Sequence, residues 1–183
     1  MENNQLPEND WELVKRARLG DQQAFHELVD RHAQALYGLA VSLVGNRADA
    51  EDVVQETIAG AFRGLGTFRG QASVKTWLAQ ILVRQAARHY RTERRHRAAR
   101  LDRFDLAKPG ASSGERQDDL RMDLRSAVLA LSPEHREVIA LRELQGMTYD
   151  EIAEALGVPR GTVESRLFRA RRELQELLKA YLR

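Results

Sequence analysis

The segment from Thr148 to Arg172 restricts the fold of this chain more than any other part of the sequence. Thr148 and Glu151 have the spacing of a capping box, in which each side chain bonds the other residue's backbone amide at a helix start. Gly157 can adopt the left-handed conformation that a tight turn needs, and a second helix begins near Arg160. A capped helix, a glycine turn and an arginine-bearing helix together predict a helix-turn-helix.

The solvent face of the second helix is basic and polar. A helix of this width fits the major groove of duplex DNA, where arginine reads guanine and serine or threonine holds phosphate. The alternative is a structural helical hairpin with a solvated face. Duplex DNA binding is the prediction that we adopt. The candidate residues are Arg160, Thr162, Glu164, Ser165, Arg166, Phe168, Arg169 and Arg172.

Apolar residues recur at three-four spacing along the rest of the chain, and no convincing strand alternation interrupts them. The prediction is an all-α fold of two small helical domains joined by a flexible linker. Residues 1–98 form the first domain, residues 99–121 the linker and residues 122–183 the second domain. A loop is predicted from Gly66 to Ser73, and the third helix is expected to bury Val54, Ile58, Ala61, Phe62 and Leu65.

Two signals mark the helix that precedes the helix-turn-helix. Ser132 and Pro133 suit the N-cap and the first position of a helix that ends at Gly146. Val138, Ile139, Leu141 and Leu144 are its predicted inward residues.

The net charge of +2 says little, but the charges are segregated along the chain. Residues 84–103 carry eight Arg against two acids, and residues 159–172 carry five Arg against one. Residues 49–56 carry four acids and no base. This pattern favours a nucleic acid together with a basic protein partner, although each run alone could also be a solvated helix face.

Several classes of protein lack support in this sequence. Cysteine is absent, the histidines have no second ligand at metal spacing, and no phosphate-loop, zinc-protease or serine-hydrolase motif occurs. We therefore predict no catalytic residue, no metal and no cofactor. The polar N-terminus is unlike a signal peptide and no apolar run could span a bilayer, which predicts a cytoplasmic protein without membrane insertion.

Three blocks in order resemble the extracytoplasmic-function (ECF) sigma factors of bacterial RNA polymerase. The first block is residues 49–56, the second is residues 68–71 with residues 76–78, and the third runs from residue 131 to residue 171. The resemblance covers about residues 21–178. It implies binding to core RNA polymerase through the β′ clamp coiled coil and the β flap. It also implies recognition of the minus-ten and minus-thirty-five promoter elements, and control by an anti-sigma factor.

The resemblance implies polymerase contact through Asp49, Asp52, Gln55 and Glu56, on a face whose acidity suits a basic partner. For Asp49 a role at the helix N-terminus is an equal alternative. The minus-ten contacts that it implies are Phe68, Arg69, Gln71, Ser73, Lys75, Arg84, Arg88 and Arg91. Phe68 could equally belong to the core, and the register of Trp77 favours the core.

Three residues depart from the pattern of the family that the chain resembles. Arg84 stands where asparagine is common, Arg88 stands where aspartate or asparagine is frequent, and Glu164 stands where a cation is common. Glu164 could accept a hydrogen bond from a cytosine amino group, or it could pair with a neighbouring arginine and contact no base.

Two other functional classes compete with this interpretation. A stand-alone helix-turn-helix regulator would explain residues 148–172, but it would leave residues 49–56 without a role. An enzyme acting on nucleic acid would need a carboxylate or metal cluster, which the sequence does not provide.

Overall fold

The structure is a computed structural model that describes residues 9–101 and 124–179 of the chain. All regular secondary structure within these residues is helical. The first unit contains α1 (Asp10–Arg18), α2 (Gln22–Val44), α3 (Arg47–Gly64) and α4 (Val74–Leu101). The second unit contains α5 (124–130), α6 (Pro133–Ile139), α7 (Tyr149–Leu156) and α8 (Arg160–Lys179). The all-α prediction is confirmed, while the predicted linker 99–121 lies mainly outside the described residues.

Short polar residues and glycine fix the helix ends, as the sequence predicts. Asp21 accepts a hydrogen bond from an amide in the first turn of α2, and Gly45 ends this helix in the left-handed conformation, with a φ of 89°. Ser132 caps α6 through the amide of His135, and Pro133 occupies the first helical position. Because these signals are local, they could be located without knowledge of the tertiary structure.

The buried face of α3 differs from the predicted one. Phe62, which was predicted to be buried, is 59% exposed, and this prediction is wrong. Its ring packs edge-on against Phe25, with 5.2 Å between the ring centroids. A Cβ added at Gly60 would lie 3.0 Å from Ile81 of α4, so this helix face accommodates only small side chains. The buried positions of α3 are Ala50, Val53, Thr57 and Ala61.

After α6 the chain continues through a π-helical turn (Ala140–Leu144). The amide of Gln145 donates to the carbonyl of Ala140 at 3.3 Å, which is the wider bonding pattern of such a turn. The extra residue rotates the positions that follow. As a result Leu144 is 58% exposed, so its predicted burial is wrong, and Gln145 is buried in its place.

The second unit packs on the C-terminal end of α2. Arg136 of α6 donates from Nη1 to the carbonyl of Leu43 at 2.7 Å, and Arg125 of α5 donates to the carbonyl of Gly45 at 2.5 Å. These carbonyls belong to the negative end of the α2 dipole, which favours cations. The buried apolar residues of both units form one continuous cluster.

A second contact joins α4 to α7. Gln80 donates from Nε2 to the carbonyl of Glu154 at 3.0 Å, and Lys75 donates to the carbonyl of Gln145. The Gln145 side chain in turn donates to the carbonyl of Ala35 in α2 at 2.9 Å. Within the described residues the two units are therefore packed together and do not stand apart.

A cleft of about 610 Å³ lies between α4 and the second unit. Arg84, Tyr90 and Arg91 line it from α4, and Glu137 and Arg166 line it from the second unit. Burial raises the pKa of Glu137 from 4.5 to about 7, and nearby Glu134 adds to this rise, while Arg166 and Arg136 oppose it.

The raised pKa of Glu137 predicts how stability changes with pH. Because the folded state binds this proton more tightly than the unfolded state, its contribution is complete below about pH 4.5 and is lost as the pH rises to about 7. Glu137→Gln should therefore remove on the order of 2 kcal/mol of pH dependence from the free energy of unfolding. Urea unfolding between pH 4 and pH 8 measures this, with the exposed Glu51→Gln as control. An unchanged pH profile in Glu137→Gln would contradict the assignment.

The turn between α7 and α8 predicts opposite effects for two glycines. Gly157 has a φ of 65°, so Gly157→Ala should destabilise the protein by about 1 kcal/mol. Gly161 lies within α8 with no atom within 4 Å of an added Cβ, so Gly161→Ala should be neutral or stabilising by up to about 1 kcal/mol. Thermal unfolding of the two variants measures the difference. A shift of both melting temperatures in the same direction would be inconsistent with this turn geometry.

Candidate nucleic-acid and protein interfaces

The acidic surface of α3 comprises the four predicted polymerase contacts, of which Asp49 alone has side-chain partners within the described residues. Asp49 accepts from the Asn46 side chain at 2.5 Å, and its carboxylate lies 3.6 Å from Nε2 of His89 on α4. Asp49 therefore serves the helix N-terminus and the α3–α4 contact in this structure. Asp52, Gln55 and Glu56 are exposed and have no side-chain bond or ion pair within the described residues.

The loop before α4 is fixed by aromatic packing. Phe68 is only 6% exposed and stacks on Trp77, with ring centroids 4.7 Å apart and an interplanar angle of 27°. A Cβ added at Gly70, whose φ is 70°, would lie 2.9 Å from the Trp11 ring. The structure thus assigns Phe68, one of the predicted DNA contacts, to the core, because its ring fills the space between two tryptophans.

Two further minus-ten candidates have structural partners. Ser73 accepts from the amide of Thr76 at 3.0 Å, so it caps α4, and Lys75 donates to the carbonyl of Gln145 in the second unit. Arg69 and Gln71 are exposed on the loop.

The arginines of α4 form an exposed basic stripe. Arg84, Arg88 and Arg91 follow four-three spacing, which places them on one helix face. No acidic partner pairs with any of the three within the described residues, so their like charges are available to an anion. Arg84 and Arg91 also line the cleft between the units, opposite Arg166 of α8.

The helix-turn-helix is built as the sequence predicts. The Thr148 amide donates to Glu151 Oε2 at 2.8 Å, and the Glu151 amide donates to Thr148 Oγ1 at 3.3 Å. The bonds that the Thr148 amide and hydroxyl donate to the Glu151 carboxylate lower the pKa of that carboxyl. Val163 and Leu167 of α8 are buried, and the opposite face of α8 is exposed.

The candidate residues on α8 differ in their partners. Arg160 bonds Asp150 at 2.8 Å and Glu164 at 3.1 Å, and both bonds raise its pKa. Arg172 lies over the Phe168 ring at 6.0 Å from its centroid. The remaining candidates differ in exposure: Ser165 and Arg169 are exposed, and Thr162 and Arg166 are half-buried.

The sequence interpretation did not identify Asp150 as part of this surface. Asp150 precedes Arg160 by ten residues, and the intervening turn brings its carboxylate against the guanidinium. Its only sequence signal is an acid in the first turn of α7, where a favourable interaction with the helix dipole already accounts for it.

The described residues contain neither a group of three or more metal-binding side chains nor a helix that is long and apolar enough to cross a membrane. Within the same residues three histidines each pair with one carboxylate: His32 with Asp10 at 2.7 Å, His89 with Asp49 at 3.6 Å and His135 with Glu173 at 2.8 Å.

Comparison with known proteins assigns both units. The family model of Sigma-70 region 2 matches residues 28–96, and that of Sigma-70, region 4 matches residues 121–174. RNA polymerase sigma-H factor of Pseudomonas aeruginosa is 34% identical, and the alignment covers 96% of this chain and 97% of the relative. ECF RNA polymerase sigma-E factor of Escherichia coli K12 is also 34% identical, with coverage of 93% and 95%.

Two solved complexes each contain a chain with the same fold as this one. CnrH in complex with the cytosolic domain of CnrY is 31% identical with a TM-score of 0.72, covering 93% of this chain and 97% of that chain. RpoE in complex with the anti-sigma factor NepR, from Bartonella quintana, is 33% identical with a TM-score of 0.70, covering 85% and 96%. The chain therefore belongs to the sigma-70 family and, within it, to the extracytoplasmic-function sigma factors of RNA polymerase.

Proposed function

We propose that this chain binds core RNA polymerase and directs it to promoters by recognising a minus-ten and a minus-thirty-five element. The observation that carries the proposal is the match of both units, in order, to the two sigma-70 regions. A stand-alone regulator would need only the helix-turn-helix, so it would not account for the matched first unit. The protein performs no covalent chemistry and acts in the cytoplasm, where polymerase and DNA are.

The polymerase contact is assigned to the exposed acidic part of α3. Asp52 and Glu56 carry charges with no partner in the described part of the chain, and a basic helical partner would neutralise them. Asp49 is the less favoured contact because Asn46 and His89 already surround its carboxylate.

The DNA contacts are assigned to two basic surfaces. Arg69, Gln71 and the α4 stripe of Arg84, Arg88 and Arg91 would bind the minus-ten region, where unstacked bases need a pocket and phosphates need cations. The exposed face of α8 would read the minus-thirty-five element in the major groove.

The packing of the two units has a consequence for this function. Arg84 and Arg91 share a cleft with Arg166, and Lys75 is bonded across the same interface. Duplex DNA has no room between these residues, so promoter binding requires the two units to separate. RpoE was solved in complex with the anti-sigma factor NepR, and for this chain we propose an anti-sigma factor that stabilises the closed arrangement.

Reversing one charge on α3 tests the polymerase contact. Asp52→Arg should weaken binding to core polymerase at least tenfold, because like charges would face each other across the interface. Asp30→Arg is the matched control, since Asp30 is an exposed acid on α2, outside the acidic surface of α3. Affinity for purified core enzyme and run-off transcription from genomic fragments are the two measurements. Equal losses in the two variants, or no run-off from the wild type, would overturn the proposal.

A second substitution tests promoter reading by α8. Arg169→Ala should cost about 1–3 kcal/mol of promoter binding and relax the preference at one base pair. Arg171→Ala is the control, because Arg171 is held by Glu143 at 2.9 Å on the side of α8. Binding is measured with holoenzyme on a set of single-base promoter variants. If all sequences weakened equally, Arg169 would contact phosphate and would not read a base.

A further inference from the structure

The first residue of α8 is surrounded by an acidic and aromatic cage. Nη1 of Arg160 donates to Oδ2 of Asp150 at 2.8 Å, and its Nε donates to Oε1 of Glu164 at 3.1 Å. Its Cζ lies 5.9 Å from the centroid of the Tyr149 ring. The guanidinium is thus held by two residues at the start of α7 and by one residue in the first turn of its own helix.

The contribution of this cage to folding stability is small. The side chains of Arg160, Asp150 and Glu164 are 57%, 71% and 50% exposed, and ion pairs at such exposure contribute little. What two carboxylates and a ring do provide is a single orientation for a long, flexible side chain. A side chain that is already ordered loses less conformational entropy when it binds a ligand.

The charges around Arg160 disfavour a contact with phosphate but permit a contact with a base. One guanidinium and two carboxylates sum to +1 − 2 = −1, which disfavours a phosphate contact. The guanidinium has five N–H donors, of which the carboxylates occupy two. The donors that remain are sufficient for a bidentate bond to guanine O6 and N7. The N-terminal residues of a recognition helix are also the ones that contact base edges.

We infer that Asp150 and Glu164 are positioning residues that orient Arg160 to read one base pair, and that Glu164 itself contacts no base. This inference rests on the proposed function of α8 as the minus-thirty-five reader. It assigns a role to Glu164, which is the one acid among the candidate DNA-binding residues of α8. It also adds Asp150, which lies outside the recognition helix, to the residues that determine promoter specificity.

The experiment uses full-length chain with core polymerase and a pool of promoter fragments randomised across the upstream element. Arg160→Ala should reduce the preference at one base pair by about fivefold or more. Glu164→Met and Asp150→Ala, which remove the acceptors, should reduce the preference at that same base pair by about threefold. Glu164→Gln, which keeps an acceptor, should restore most of it. The double variant Arg160→Ala/Glu164→Met should lose no more than Arg160→Ala, because the acid acts through the arginine.

Two matched measurements separate positioning from structural damage. Glu176→Gln, at the far end of α8 where Glu176 pairs with Lys179, should leave the base preference unchanged. The melting temperatures of the Asp150 and Glu164 variants should stay within about 2 °C of the wild type, as expected for exposed pairs.

Three results would overturn the inference. Glu164→Met could change the preference at a different base pair from Arg160→Ala, which would make Glu164 a base reader itself. The Asp150 and Glu164 variants could weaken all sequences equally, or they could change nothing. Failure of the proposed function has a different signature, because wild-type chain would then select no promoter with core polymerase. If the proposed function fails, the same pool is selected with the chain alone to test whether Arg160, Asp150 and Glu164 act on one base pair. If the chain alone selects no base, the inference is overturned as well.

Discussion

The Arg136 guanidinium joins three parts of the structure that are distant in sequence. It donates to the carbonyl of Leu43 at the end of α2, and also to the carbonyls of Leu129 and Leu131 beside α5. No carboxylate forms an ion pair with Arg136 within the described residues, and burial lowers the Arg136 pKa, while nearby Tyr90 and Glu137 oppose this shift. The cost of burying the cation is offset by three carbonyl dipoles, one of them at the negative end of a helix. The position of the second unit on the first depends on this contact.

The same contact relates the fold to function. With α2 held against α6, the α4 helix lies along α7, and the basic residues of both units meet at one cleft. Arg84, Arg91 and Arg166 carry like charges there, and the same cleft is lined by Glu134 and by Glu137, whose pKa is raised by burial to about 7. Under the proposed function, these cations would contact promoter DNA once the two units separate.

Local signals allowed most of the fold to be predicted. The capping box at Thr148, the turn at Gly157 and the cap at Ser132 each act within a few residues, so their consequences are readable in sequence. The exposure of Leu144 could not be predicted, because a 3.6-residue hydrophobic period does not indicate where a π-helical turn inserts an extra residue. The contacts between the units could not be predicted either, since they run from side chains such as Gln80 and Gln145 to backbone carbonyls, which every residue has. The basic and acidic character of the candidate surfaces could be predicted from the residue types. The burial of Phe68 could not, because it depends on packing against Trp11 and Trp77.

The capping of α7 determines how the two units can come apart. Thr148 and Glu151 satisfy each other's amides within the second unit, and the contact from Thr76 to Glu151 is only an addition at 3.5 Å. The N-terminal cap of α7 therefore does not depend on contacts with the first unit. The other hydrogen bonds between the units run from the side chains of Lys75, Gln80, Arg125, Arg136 and Gln145 to backbone carbonyls, and water could replace each of them. If the units separate as proposed, the helices of the second unit would move as preformed elements, and α8 would keep its shape.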